Sequence, residues 1–276
     1  MTQLILDNTQ LQCYNRCPTM YKWRHVENLV PQGITSPALE FGSAVHTCLE
    51  LWYKGSDYQT GIAAFVTALT GKTMDDKRSI PNGLLILDAY YKKWLPEQSI
   101  KVINCETPIQ IELTSDIIFC GKVDLVVEMF GDLYVLDHKT SSSFTNVVAK
   151  PNSQMTGYVY ALRVLGVPVT GAILNLIAVL KTKQDFHRLI TTRSETDLKQ
   201  WQRWACNTKV QMDIAADSGE YHKYTHSCWQ CGYKNLCNSG PESLEQVKQS
   251  LYQVEKWQPW VSTEIVTLNQ TGGLNL

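Results

Sequence analysis

The sequence predicts an α/β fold in which a mixed central sheet is flanked by helices. Three observations carry that expectation. Two apolar, β-branched runs, Ile117–Phe130 and Leu133–Leu136, flank a Gly131-Asp132 turn signal and read as a tight antiparallel hairpin. Val102–Leu113 alternates through Ile109, Ile111 and Leu113, and Gly171–Leu180 is almost wholly apolar, as a buried strand is. Helical spacing surrounds these strands at Ala38–Tyr53, Ser153–Leu165 and Ser194–Ala216.

Along the chain, Leu11–Glu27 has apolar residues at helical spacing behind an Asn8-Thr9-Gln10 cap, and Pro18 interrupts it after Cys17. Glu27–Pro37 reads as a loop. Ala38–Tyr53 carries a stripe of Leu39, Ala44, Val45, Leu49 and Trp52, with His46 on or beside it and Gly42 one turn earlier. Asp57–Trp94 is helical through Leu69, polar at Lys72–Ser79, and helical again from Gly83. Its Lys72, Lys77, Arg78, Lys92 and Lys93 read as ordinary solvated charges rather than phosphate contacts. Ser141–Ser143 and Pro151-Asn152 form a loop before the helix at Ser153. Beyond Cys237 a short helix is expected at Glu242–Tyr252, Trp257–Trp260 to pack back on the body, and Asn269–Leu276 to be mobile.

The 276 residues suffice for a proper core, and 44% hydrophobic with 18% charged residues exclude a disordered chain. A net charge of −1 advertises no global affinity for nucleic acid, so any such groove is a local patch. No apolar run is long enough for a membrane span, and the N-terminus lacks a secretory pattern; the expected location is cytoplasmic. Nine cysteines, an odd number, fit metal or cluster ligation better than disulfides in a reducing compartment.

Chemistry concentrates on the hairpin. Gly121-Lys122-Val123-Asp124 and Asp137-His138-Lys139 bring two carboxylates and a lysine close together. Adjacent carboxylates repel unless a cation lies between them, and oxygen ligands suit Mg²⁺ or Mn²⁺. Lys139 leaves the same strand face as Asp137, where it can orient or deprotonate a water or neutralise a phosphate. An isolated Asp-x-Lys is usually a solvated surface pair; the apolar run leading into this one argues otherwise. Gln154 and Tyr158, four residues apart, share one helix face just downstream.

The second concentration is Cys228-x₂-Cys231-x₅-Cys237, whose tight pair suits one metal centre. A fourth ligand must come from elsewhere; for Zn²⁺ it is Cys17, His222 or His226, and spacing alone leaves zinc and an iron–sulfur cluster open. Cys13 competes with Cys17. Cys48, Cys105, Cys120 and Cys206 sit in apolar patterns and read as core.

The ordered set Gly42-x₃-His46, Gly121-x₂-Asp124, Asp137-x-Lys139, Gln154-x₃-Tyr158 resembles the RecB-like branch of the PD-(D/E)XK nuclease superfamily. The Cys17-Pro18 segment and the C-terminal cysteines resemble its iron–sulfur members: the small CRISPR-associated exonucleases, their phage relatives and the AddB nuclease domain. The resemblance implies one nuclease domain over residues 1–276, with a restriction-endonuclease-like catalytic core at 101–216. N-terminal helices (11–53), a helical insertion (57–94), a cluster-binding segment (217–240) and a tail (241–276) complete it. It implies Mg²⁺ or Mn²⁺ held by His46, Asp124, Asp137 and the His138 carbonyl. Lys139 then positions or activates the attacking water, and Gln154 and Tyr158 contact substrate or orient Lys139. It further implies a 4Fe–4S cluster at Cys17, Cys228, Cys231 and Cys237, clipping the two ends of the chain together.

The implied activity is DNA hydrolysis, exonucleolytic on single strands or duplex ends, in CRISPR adaptation, phage recombination or DNA repair. The location is a bacterial cell, or its host's cytoplasm if phage-encoded. The sequence has no P-loop, so a helicase, recombination protein or CRISPR integrase is a separate partner. The alternative is a non-catalytic DNA-binding or interaction module that keeps the fold. Intact Asp124, Asp137 and Lys139 argue against it, since a pure binder gains affinity by losing carboxylates near phosphates. A weaker reading is a zinc-bearing structural protein.

Overall fold

A computed structural model describes residues 4–33, 36–97, 99–145 and 147–259, and the short backbone pair 267–268 with 274–275. Trp260 and Asn269–Leu276, about which the sequence raised expectations, lie outside the described residues apart from Leu274 and Asn275. The chain divides into two compact units. One comprises Met1–Ile34, Gln110–Gly121 and Lys199–Val261; the other comprises Thr35–Ile109, Lys122–Leu198 and Ser262–Leu276.

The second unit contains helices α3 (Pro37–Tyr53), α4 (Tyr58–Leu69) and α5 (Ile80–Trp94). Each begins where its sequence supplies a start. Pro37 occupies the first turn of α3, where its missing N–H is no loss. Asp57 caps α4 by accepting from the Thr60 N–H at 2.7 Å, and Ser79 caps α5. Close helix crossing depends on two glycines: a Cβ on Gly61 would stand 2.2 Å from Trp52 Nε1, and one on Gly83 2.2 Å from Phe65 Cζ. Phe41, Val45, Leu49, Phe65, Ile86 and Tyr90 make the core there with Ile177 and Phe186. Of the charges in this region, Lys72 pairs with Glu40, Arg78 with Asp75 and Lys92 with Asp88.

The sheet is mixed, with strands β3 (Lys101–Thr114), β4 (Ile117–Met129), β5 (Asp132–Ser141), β6 (Val169–Ala178) and β7 (Phe186–Thr192). β4 and β5 form the expected antiparallel hairpin, from Leu125 opposite Leu136 to Met129 opposite Asp132. Phe130 (φ 55°) and Gly131 (φ 84°) both adopt the left-handed conformation that a two-residue hairpin turn of matching twist requires. Helix α6 (Ser153–Val164), capped by Asn152, carries the crossover from β5 to the parallel strand β6. β7 returns antiparallel to β6. The sequence reading did not anticipate β7, whose burial pattern is that of a half-covered strand.

The first unit contains β1 (Leu4–Leu6), α1 (Asn8–Arg16) and α2 (Pro18–Tyr21), and β1 pairs parallel with the start of β4. The α1 cap is Asp7, one residue before the expected Asn8-Thr9-Gln10. Its carboxylate accepts from the Gln10 N–H at 2.8 Å, and Gln10 Oε1 accepts from the Asp7 N–H at 3.0 Å. Pro18 breaks the helix as expected, and a π-helical turn, Lys22–Val26, follows α2. The expected loop at 27–37 contains a strand, β2 (Leu29–Pro31), paired antiparallel with β8 (Tyr252–Val254). Most of α7 (Glu195–Ser218), then α8 (Lys234–Asn238) and α9 (Leu244–Leu251), complete the unit. Trp23, Leu29, Tyr233, Leu236 and Tyr252 form one buried cluster there. Trp257 does pack back: its Nε1 donates to Asp7 Oδ2 at 3.0 Å and its ring meets His25 edge-on. Among the described residues no helix is long and apolar enough to cross a membrane.

Candidate active site

Antiparallel pairing of β4 and β5 places Asp124 beside the β5 segment Asp137-His138-Lys139. The β-branched residues around them are fully buried (Val123, Val126, Val135), so the strands cannot slip register without exposing core. The backbone N–H of His138 donates to Asp124 Oδ2 at 2.8 Å. From α3, His46 directs Nε2 to the His138 carbonyl oxygen at 2.8 Å and Nδ1 to Asp124 Oδ2 at 3.4 Å. Gly42, one turn before His46, lets α3 approach β5: a Cβ there would lie 3.2 Å from Thr140 Oγ1. His46, Asp124, His138 and Lys139 therefore line one cleft of ≈ 530 Å³ together with Glu50 and Glu106, while Asp137 does not line it but lies buried against Lys139.

Lys139 Nζ stands 2.8 Å from Asp137 Oδ2 and donates to Gln154 Oε1 at 3.0 Å; Gln154 Nε2 in turn donates to the Tyr158 hydroxyl at 3.1 Å. The helix-face pair is thus linked to the lysine by hydrogen bonds. Asp137 is 3% exposed, and its Oδ2 has no hydrogen-bond donor, the nearby ammonium lying outside hydrogen-bond angles.

The two carboxylates differ in charge affinity. Burial pushes the Asp137 carboxyl upward, with the Asp124 charge adding to it and Lys139 opposing. Burial acts on Asp124 too, but the hydrogen bond and charge of His46, with the His138 N–H, hold it well below the usual carboxylate range. For Lys139, burial disfavours the ammonium, and the Asp137 and Asp124 carboxylates outweigh it, raising its pKa. Burial lowers the His138 imidazole to about 3, so that ring is neutral.

Glu106 was not anticipated. It occupies the left-handed region (φ 55°) within β3 and pairs with Lys122 at the cleft. Glu50 lines the same cleft and lies one turn after His46 on α3, a spacing the sequence does display.

As a metal site, the cleft offers imidazole, carboxylate and carbonyl donors, a set suited to Mg²⁺ or Mn²⁺, and Asp137 Oδ2 is a buried acceptor in want of a partner. Among the described residues, no three His, Cys, Asp or Glu side chains converge on one metal position as placed. The donor chemistry fits the ion.

In the first unit, Cys17, Cys228, Cys231 and Cys237 line one cavity of ≈ 220 Å³ with Lys223 and Lys234. The Tyr224 N–H points to Cys17 Sγ at 3.5 Å. Cys13, the competitor, does not line the cavity, and burial, then the Cys17 thiol, push its own thiol up to about 12. Neither His222 nor His226 lines it. Of the cysteines read as core, Cys48, Cys105 and Cys120 are buried and Cys206 is half-buried.

The sequence model of the PD-(D/E)XK nuclease superfamily matches residues 8–238. A crystal structure of a protein from Eubacterium rectale, provisionally named an exonuclease, shares the fold with a TM-score of 0.58 at 11% identity, covering 89% of this chain and 92% of that one. Two others are the crystal structures of SSO0001 (TM-score 0.35, 15% identity, 76% of this chain and 88% of that one) and of LHK-Exo with dAMP (0.30, 12%, 66% and 93%). No curated protein is significantly similar to the chain.

Proposed function

The chain belongs to the PD-(D/E)XK nuclease superfamily, and from that premise we propose that it is a divalent-metal-dependent deoxyribonuclease acting exonucleolytically on single-stranded DNA or duplex ends. The observation that carries the reading is the gathering of Asp124 and Lys139 with His46 and the His138 carbonyl in one cleft, with Asp137 buried against Lys139. A structural ion pair would not need a second buried carboxylate beside it, nor leave an oxygen without a donor.

Mg²⁺ or Mn²⁺ held by His46, Asp124, Asp137 and the His138 carbonyl would stabilise the charge that develops on the scissile phosphate. The remaining work falls to the chain's own groups. Lys139, kept as an ammonium by its carboxylate neighbours and steered by Gln154, donates hydrogen bonds. It therefore orients the attacking water and neutralises a phosphate oxygen, rather than removing a proton itself. Tyr158 fixes Gln154, and so sets where the ammonium points.

The four cysteines around the second cavity support a 4Fe–4S cluster, with Zn²⁺ as the alternative occupant. Cysteine thiolates suit either, although as placed they do not converge on one ion among the described residues. DNA end processing in CRISPR adaptation, phage recombination or repair, with a helicase, recombination protein or integrase beside it, is the context this reading favours.

The test is cleavage of end-labelled single-stranded DNA in Mn²⁺, with Lys139→Ala in parallel. Loss of full-length strand by the wild type alone supports the proposal, and the surviving label gives polarity. If neither protein cuts linear, circular or duplex DNA while still binding it, a non-catalytic binding module replaces the nuclease.

A further inference from the structure

We propose that Asn175 and Arg188 are positioning residues for the candidate active site. In one hydrogen-bonded row across three strands, they lock the tautomer and orientation of His138 and so hold its backbone N–H against Asp124 and its carbonyl toward His46. The proposal rests on the nuclease reading for the site's purpose and on geometry for everything else.

The row follows from register. His138 on β5 lies opposite Asn175 on β6, and Asn175 lies opposite Arg188 on β7. The three side chains therefore share one sheet face. The donor logic has one solution. A guanidinium only donates, so Arg188 Nε, 3.2 Å from the Asn175 side chain, fixes the facing atom as the carbonyl Oδ1. The other end of the amide is then the NH₂ group, which donates to the Tyr90 hydroxyl at 2.8 Å and to His138 Nδ1 at 2.7 Å. An accepting Nδ1 leaves the imidazole proton on Nε2. The His138 ring is also clamped by Tyr53, stacked at 5.5 Å and 17°, and by the edge of Tyr90.

Arg188 is anchored in its turn. Its Nη1 bonds the Glu97 carboxylate, and its guanidinium lies 3.8 Å over the Trp94 ring. Asn175 and Tyr90 are fully buried and His138 is 3% exposed. A polar row at that depth costs stability unless every member is satisfied, and apolar residues of equal volume would pack a sheet face without it. Its output lies at the other end. The same His138 whose ring is tethered gives its N–H to Asp124 and its carbonyl to His46, both at 2.8 Å. Tilting its peptide planes would move both contacts together. Partners that orient the groups around a metal site commonly govern affinity for the ion.

The experiment combines ¹⁵N NMR of histidine-labelled full-length protein, assigned with His138→Phe, with Mn²⁺ titration of the wild type, Asn175→Leu and Arg188→Met. The expected result is an Nε2-protonated His138 in the wild type. Both variants should fold, lose that single tautomer and bind Mn²⁺ about 10-fold or more weakly, with Lys139→Ala keeping the wild-type tautomer. A wild-type His138 protonated on Nδ1 overturns the proposal even if a variant fails to fold. So does a folded variant whose Mn²⁺ affinity is unchanged. Both readouts are made without cleavage, so their failure is distinguishable from failure of the nuclease activity.

Discussion

Asp137→Asn should stabilise the metal-free protein while abolishing cleavage. The carboxylate is buried with one oxygen lacking a donor, a situation that costs about 1–3 kcal/mol. Lys139 offsets part of this from 2.8 Å, but its side chain is 40% exposed, so the pair is worth about 1 kcal/mol or less. Removing the charge should therefore gain about 1–2 kcal/mol, or roughly 2–4 °C in Tm for a chain of this size. The pH dependence has a definite sign. Burial raises the folded-state pKa of Asp137, so the native state holds a proton that the unfolded chain has already lost. Stability then falls as pH rises from the ordinary carboxylate range through that raised value, and the Asn variant lacks this loss. Thermal melts in EDTA at several pH values, repeated with Mn²⁺, measure both. An Asp137→Asn protein that melts below wild type in EDTA, or a difference that does not widen as pH rises, would refute the reasoning.

Lys139→Ala should lower single-turnover cleavage about 10²–10⁴-fold, with DNA affinity by fluorescence anisotropy little changed. Cys17→Ser and Cys231→Ser should each reduce bound iron and acid-labile sulfide in anaerobically purified protein; stoichiometric zinc without sulfide would replace the cluster with Zn²⁺. Gly171→Ala should destabilise by more than about 2 kcal/mol in urea, because the new Cβ would meet the Thr191 carbonyl oxygen at 2.0 Å. Trp257→Phe should cost about 1 kcal/mol through loss of its bond to Asp7, read by the same titration.

The hairpin was legible because Gly131 marks the turn and the residues around it supply the strands, although the turn falls at Phe130-Gly131, one residue before the expected Gly131-Asp132; the helix of His46 was legible from its stripe. Local pattern decided both. β1 and β2 are three-residue strands whose partners lie far along the chain, so no local window contains the reason for them. The Asp7 cap was displaced by one residue because Asp and Asn cap equally well, and only the reciprocal Gln10 bond selects between them. At the candidate site, charged residues ending apolar runs drew attention to Asp124, Asp137 and Lys139. Asn175 had a signal that went unread: it is the lone amide within an otherwise apolar buried strand, where an amide needs partners. Arg188 gave none, since β7 itself was not anticipated. Glu106 stayed hidden because a left-handed glutamate inside a strand has no signature in composition.

The discontinuous first unit carries a consequence for biosynthesis. Leu29 and Trp23 are shielded by Tyr233, Leu236 and Tyr252, which the ribosome adds far later. The segments of the second unit up to Leu198 are all available before then. At about 5–20 residues per second the N-terminal segment waits roughly 10–40 s for its partners. Trp23 and Leu29 are thus covered only after the second unit's segments up to Leu198 have been made, and the cysteine pocket can acquire its fourth thiol only once Cys237 has been added. In the nascent chain, that interval leaves Trp23 and Leu29 open to a chaperone or a protease.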